Sequence, residues 1–209
     1  ARFAHEVDHD GVPMHRITEF SPNLTIGGSA SRRSHIALAL SDSALDHTDA
    51  MDDWENVAVY YTAIRSEGSG RIQAVPGLKA PLVTYRLTEG DLSRLARGMI
   101  HLGEALLAAG ATELYPSVTG GPLVRRTDEL VQWWDAVSRS RANVMTIHMT
   151  SSVGIGEARH RTGADSFGRV WGYENLRIND ASLVPDAPGV NPQASVMTIA
   201  SRNCAHFLA

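Results

Sequence analysis

Two positions near the end of this chain have the chemistry to act on a small molecule. His148 follows the apolar run Val144-Met145-Thr146-Ile147, which reads as a buried strand. It opens a loop of small residues, Ser151-Ser152-Val153-Gly154. An imidazole titrates near neutral pH, so His148 is either a general base or a satisfied core histidine. Asn191 stands before Pro192. Asparagine is a good N-cap and proline is preorganised for the first helical position, so a last helix is expected from about 192 to 207. No acidic residue occupies its first turn. That helix end is either a ready anion site or a surface facing water.

A second candidate is His5-Glu6-Val7-Asp8-His9, which spells H-E-x-x-H, with His15 at the spacing of a third ligand. Zinc chemistry needs a helix here, so that two histidines one turn apart face one metal. Asp10-Gly11 and Pro13 follow at once, and on a strand His5 and His9 would lie about 13 Å apart. A zinc hydrolase built on His5, Glu6 and His9 is therefore the remote alternative, and no metal site is assigned. Gly154-Ile155-Gly156 has no third glycine at Arg159, so it is no dinucleotide fingerprint. Gly27-Gly28-Ser29-Ala30-Ser31 lacks the last glycine of a nucleophile elbow.

These residues need elements to hold them. Residues 1–28 read as β, with Asp10-Gly11 as a hairpin turn. Residues 34–45 read as a short helix and 46–56 as an acidic connector; 57–64, 71–75 and 82–87 read as strands. Thr88-Glu89-Gly90-Asp91 opens the clearest helix, carried by Leu92, Leu95, Met99, Leu102, Leu106 and Leu107 and stopped at Gly110. Thr127-Asp128-Glu129 starts another helix through Trp133, Trp134 and Val137. Short strands with separated helices give an α+β class with a mixed or antiparallel sheet.

The 209 residues suffice for a real core. A net charge of −4 gives no general basic surface, so nucleic acid is a poor partner. Cys204 is the only cysteine, which excludes an intrachain disulfide and fits a reducing, cytoplasmic setting. No apolar run is long enough to span a bilayer, and residues 1–6 have no signal architecture. The chain starts at Ala1 without Met, as expected of a trimmed or processed piece.

The stretch from His148 to Met197 resembles the closing segment of the glucose-methanol-choline (GMC) flavin oxidoreductases. That family carries a His at the start of H-x-x-G-T-x-x-M-G and a second His or Asn just over forty residues later. Here 191 − 148 = 43. Residues 165–176 resemble the family's V-D-x-x-x-R-V-x-G-x-x-x-L-R turn, and Asp180-Ala181-Ser182 its D-A-S. Upstream, Gly27-Gly28-Ser29, Tyr85-Arg86-Leu87 with Asp91, and Ala108-Ala109-Gly110-Ala111 also look like the family. Ser151 departs from its usual Gly and Ile155 from its usual Met.

The resemblance implies FAD-dependent oxidation of an alcohol to a carbonyl by hydride transfer to flavin N5. His148 would be the base, and Asn191 would hold the substrate oxygen. Asp180, Ala181, Pro192 and Gln193 would contact FAD. Residues 1–145 would be mostly the substrate-binding domain. Residues 146–209 would complete an FAD-binding α/β domain with a strand and a final helix. The dinucleotide-binding half would come from an N-terminal chain or segment. A non-redox lyase on the same fold and an inactive fragment are the alternatives.

Overall fold

The computed structural model describes every residue except 12–15, 44, 46 and 147. His15 lies among the exceptions, outside the described residues. The chain forms two compact units, Ala1–Val144 and Met145–Ala209.

In the first unit, strands β2 (Arg16–Ile17), β3 (Leu24–Gly28) and β4 (Tyr60–Ile64) make an antiparallel sheet in that order. Its register runs from Leu24 opposite Ile64 to Gly28 opposite Tyr60. Strand β1 (Arg2–Phe3) pairs with β7 (Ala111–Glu113), so Asp10-Gly11 does not fold β1 back into a hairpin as expected. β5 (Ser69–Gln73) and β6 (Leu82–Arg86) form a separate two-stranded antiparallel ribbon. Between β3 and β4 lie α1 (Arg33–Ser41) and α2 (Thr48–Asp52), then a one-turn 3-10 helix at Trp54–Asn56. The acidic stretch read as a connector is thus largely helical, pinned by buried Ala50 against Ile36, Leu40 and Val57.

Helix α3 (Glu89–Ala108) organises this unit. Its apolar face buries Leu92, Leu95 and Ala96. At Gly98 a side chain would strike Leu24 and Thr62, so the bare backbone lets α3 lie directly on β3 and β4. Gly110 follows the last turn at φ +96°, as its C-cap reading requires. Beyond β7 the expected second helix divides into a 3-10 turn at Thr127–Glu129 and the short α4 (Gln132–Ala136). Trp133 is buried there, its indole N–H donating to the Pro122 carbonyl at 2.9 Å, while Trp134 is exposed.

The start of α3 is held by one carboxylate with no solvent exposure. Thr88 Oγ1 accepts from Asp91 N at 3.0 Å, and Asp91 Oδ2 accepts from Thr88 N at 2.9 Å, which closes a capping box. Asp91 also accepts from Glu67 N at 2.8 Å, Gly68 N at 3.0 Å, Ser66 Oγ at 3.0 Å and Arg94 Nη1 at 3.2 Å. Burial works to raise its pKa, but the backbone N–H groups of Thr88 and Glu67 and the neighbouring hydroxyls outweigh it. The carboxyl is held down to about 2.

Among the described residues of the second unit the one α-helix is α5 (Gln193–Leu208), preceded by a 3-10 turn at Ala181–Leu183. The run 144–147 was expected as a buried strand. Its described residues 144–146 are exposed and form no strand, Met145 being 74% exposed. Among the described residues no strand pairs with their backbone, and an apolar run alone does not make a strand. Among the described residues, no helix is long and apolar enough to cross a membrane.

Asp91→Asn keeps the shape of the side chain but offers an amide to donors that need an acceptor. We expect it to lower stability in urea unfolding at pH 7 by about 2–4 kcal/mol. The folded pKa lies below the unfolded one, so this stabilisation is complete above about pH 4 and is lost as the pH falls towards about 2. The variant should lack that part of the acid slope; equal stability of the two proteins at pH 7 would refute the role given to Asp91.

Candidate active site

His148 is half-buried, and its carbonyl accepts from Thr150 N at 2.9 Å. The chain then reverses at Ser151, whose φ of +70° lies in the left-handed region. After that turn the backbone is stitched to a second segment. Ser151 N donates to Val184 O at 2.8 Å, Val153 N to Ser182 O at 3.1 Å and Ile155 N to Leu183 O at 3.4 Å. Fully buried Leu183 and nearly buried Val184 anchor the seam.

The second segment contains Asp180 and Ala181. Asp180 caps a 3-10 turn at Ala181–Leu183, its Oδ1 accepting from Ser182 N at 2.8 Å and Ser182 Oγ at 2.6 Å. Those two donors hold its carboxyl below the usual aspartate range. The structure therefore joins the loop after His148 to the Asp180-Ala181 turn, although about thirty residues separate them in the chain.

Between them, residues 165–178 form a tight reversal. Asp165 Oδ1 accepts from Phe167 N and Arg169 N, both at 2.9 Å. Burial opposes ionisation of Asp165, but these N–H groups and the charges of Arg169 and Arg177 keep its pKa lowered. At the apex Gly168 has φ +81°, and a Cβ there would collide with the Ile178 carbonyl and come within 3.2 Å of Asn203 Nδ2. Asn203 is buried in α5 and donates to Asn179 Oδ1 at 3.2 Å, which docks the helix on this loop. Sequence reading missed Asn203; an asparagine on a helix gives no local sign that its amide will be buried.

Asn191 is exposed. It is not the N-cap expected of it: Pro192 takes that place, with φ −86° and no side-chain cap bond. Proline fixes the entry to the helix by its ring. Gln193, Ala194 and Ser195 follow, exposed and with no acidic residue among them. Val196 N is the first to bond back, to Pro192 O at 2.9 Å, so the amides of the preceding turn lack an intrahelical acceptor.

The seam brings the His148 loop to Asp180 and Ala181, while Asn191, Pro192 and Gln193 lie at the start of α5. Two surface clefts, of about 410 and 570 Å³, lie around β5, β6 and the start of α3. Neither is lined by His148, Asp180, Ala181, Asn191, Pro192 or Gln193. The H-E-x-x-H string also lacks its helix. Residues 4–9 are irregular, His9 Nε2 lies 3.0 Å from the Glu55 carbonyl, and its ring stacks on Trp54 at 5.2 Å. Among the described residues no three His, Cys, Asp or Glu side chains group to hold a metal.

Residues 65–200 match the GMC oxidoreductase family. The chain is 38% identical over 192 residues to an uncharacterised GMC-type oxidoreductase of Sinorhizobium fredii, covering 91% of this chain and 38% of that protein. It is 27% identical to a long-chain-alcohol oxidase of Arabidopsis thaliana, covering 90% of this chain and 26% of the relative. The fold is similar to that of pyridoxine 4-oxidase from Mesorbium loti, with a TM-score of 0.55 at 19% identity, covering 88% of this chain and 34% of that one. The chain thus spans well under half the length of these proteins.

Two of the left-handed positions, Ser151 and Gly168, should respond oppositely to substitution. Ser151→Gly relieves a strained φ and should raise stability by about 0.5–1 kcal/mol. Gly168→Ala adds strain and a backbone collision and should lower it by about 2–3 kcal/mol. Thermal unfolding of the two variants checks this; a change of the same sign in both would contradict the geometry of one turn.

Proposed function

Since this chain belongs to the GMC oxidoreductase family and corresponds to its C-terminal part, we propose that it carries the proton-handling side of an enzyme oxidising an alcohol to a carbonyl, with FAD as acceptor. The observation that carries this reading is the backbone seam between the His148 loop and the Asp180-Ala181 turn. It gives one framework to a candidate base and a candidate cofactor contact. The long-chain-alcohol oxidase among the relatives supports an alcohol as the substrate class.

The residues present fit a flavin in two respects. The first turn of α5 has amides without intrahelical acceptors and no acidic side chain, which suits a group gaining negative charge. The second unit also buries little: among its described residues Ala164, Leu183, Val184 and Pro192 are the buried apolar side chains, while Met149, Met197 and Phe207 are each more than 60% exposed. So much uncovered apolar surface suits a part that completes a larger domain, and an N-terminal dinucleotide-binding segment is the proposed complement. Asp180 and Ala181 would hold the ribityl-phosphate portion of FAD, and Pro192 and Gln193 would face its ring. Residues 1–145 would supply most of the substrate-binding domain and 146–209 the returning part of the FAD-binding domain. A reducing cytoplasm accords with the single exposed thiol, Cys204.

FAD, when bound, supplies the acceptor for the two electrons that leave the alcohol carbon. A C–H bond is not acidic, and it yields its electron pair only as the neighbouring oxygen loses its proton. His148 takes that proton as general base. Asn191 donates to the same oxygen through its amide and holds it in place as charge builds.

His148→Ala in the FAD-loaded enzyme should lower kcat by about 10²–10⁴-fold with FAD content unchanged. Near-normal turnover at saturating alcohol would remove His148 from the mechanism. Asn191→His keeps a polar contact and should retain turnover, whereas Asn191→Leu should raise the barrier by about 1–3 kcal/mol. Identical steady-state kinetics for the two variants would show that Asn191 does not touch the substrate.

A further inference from the structure

The β5–β6 ribbon is exposed along every residue of both strands. Its register puts Gly70 opposite Tyr85 and Ile72 opposite Val83, so these four share one face. Ile72, Val83 and Tyr85 are each more than half exposed. The other face carries Ser69 opposite Arg86, Arg71 opposite Thr84, and Gln73 opposite Leu82. A cleft of about 570 Å³ runs between Arg71 and Arg86. The connection between the strands adds exposed Leu78, beside Lys79, the only lysine of the chain. Residues 68–88 contain Arg71, Lys79 and Arg86 and no Asp or Glu, with Glu67 and Glu89 at the ribbon's base lining a cleft together with Arg86.

We propose that this ribbon docks the protein on an anionic lipid surface. Ile72 and Val83 would sink to the boundary of the acyl chains, while Tyr85 stays bonded through its Oη to Ser66 and Gly68 and Arg71, Arg86 and Lys79 reach the phosphates. A two-stranded ribbon is one residue thick and marginal in water by itself, and it keeps its shape where an apolar phase covers one side. Aliphatic side chains and cations on opposite faces of so thin an element are satisfied together where hydrocarbon and phosphate lie a few ångströms apart. An acidic protein would pair with the cations and leave Ile72, Val83 and Leu78 in water. The attachment is peripheral and needs no spanning helix.

The test is co-sedimentation of the full protein with phosphatidylcholine vesicles, with and without phosphatidylglycerol. Binding is expected to the anionic vesicles, to weaken with added salt, and to be slight on the neutral ones. At about fivefold per cation near the surface, Arg71→Gln, Lys79→Gln and Arg86→Gln together should weaken it about 100-fold. Ile72→Ser with Val83→Ser should also weaken it, whereas Arg32→Gln with Arg33→Gln, on α1, should not. Unchanged Tm in the variants shows that the fold is kept, and Lys79→Glu alone gives a minimal change at the turn. Failure to sediment with either vesicle, or binding untouched by the ribbon variants, would overturn the proposal. So would a fall in oligomer size caused by Ile72→Ser with Val83→Ser, since a second copy would then be what covers the face.

Discussion

A carboxylate sealed from water must find all its donors inside the protein, and Asp91 does so by drawing two elements together. Its oxygens accept from the backbone of residues 67 and 68, before β5, and from Thr88 at the head of α3. Ser66 and Arg94 complete the shell. Loss of any one donor would leave a charge or an amide unpaired in a dry place, so the arrangement tolerates little drift. The position of the long helix against β3 and β4 follows from that fixed start, together with the close approach at Gly98. The ribbon β5–β6 leaves the same knot, since Tyr85 Oη lies 2.8 Å from Ser66 Oγ.

The second unit is held on a different principle. Its described residues form a single α-helix and almost no apolar core, and their order comes from turns that use backbone hydrogen bonds locally. Asp165 and Asp180 do the same job at two places: each folds the chain around its own oxygen by accepting amides two to four residues on. Both stay ionised because those donors favour the charged form. Gly168 and Ser151 set the two sharp reversals, and the glycine is required where the serine is merely tolerated. Such a framework aims side chains and helix ends without enclosing them, which suits a surface completed by another segment.

The proposed chemistry and the proposed docking draw on different parts of the chain. The residues proposed to handle the proton belong to the second unit. The ribbon belongs to the first, beyond the Asp91 knot. In each case the decisive feature is polarity left unmatched by the described residues: amides at the start of α5, and cations with aliphatic side chains along β5 and β6.

Local order was legible wherever a few neighbouring residues decide the outcome. The Thr88-to-Asp91 start of α3, its stop at Gly110, the strands 60–64 and 82–86 and the last helix were all readable, because caps, β-branched runs and helical spacing act over a handful of residues. The family, too, was legible, since spacing such as 148 to 191 is a property of the chain itself. What could not be read was decided by partners distant in sequence. β1 pairs with β7 rather than folding back, because pairing is chosen among all available edges. Residues 144–146 form no strand because none of the described residues supplies a partner strand. Pro192, not Asn191, takes the N-cap of α5. The seam from 151 to 184 and the burial of Asp91 and Asn203 also came only with the tertiary structure. Which groups lose water, and which donors then meet them, depends on the whole packed chain and not on the residues beside them.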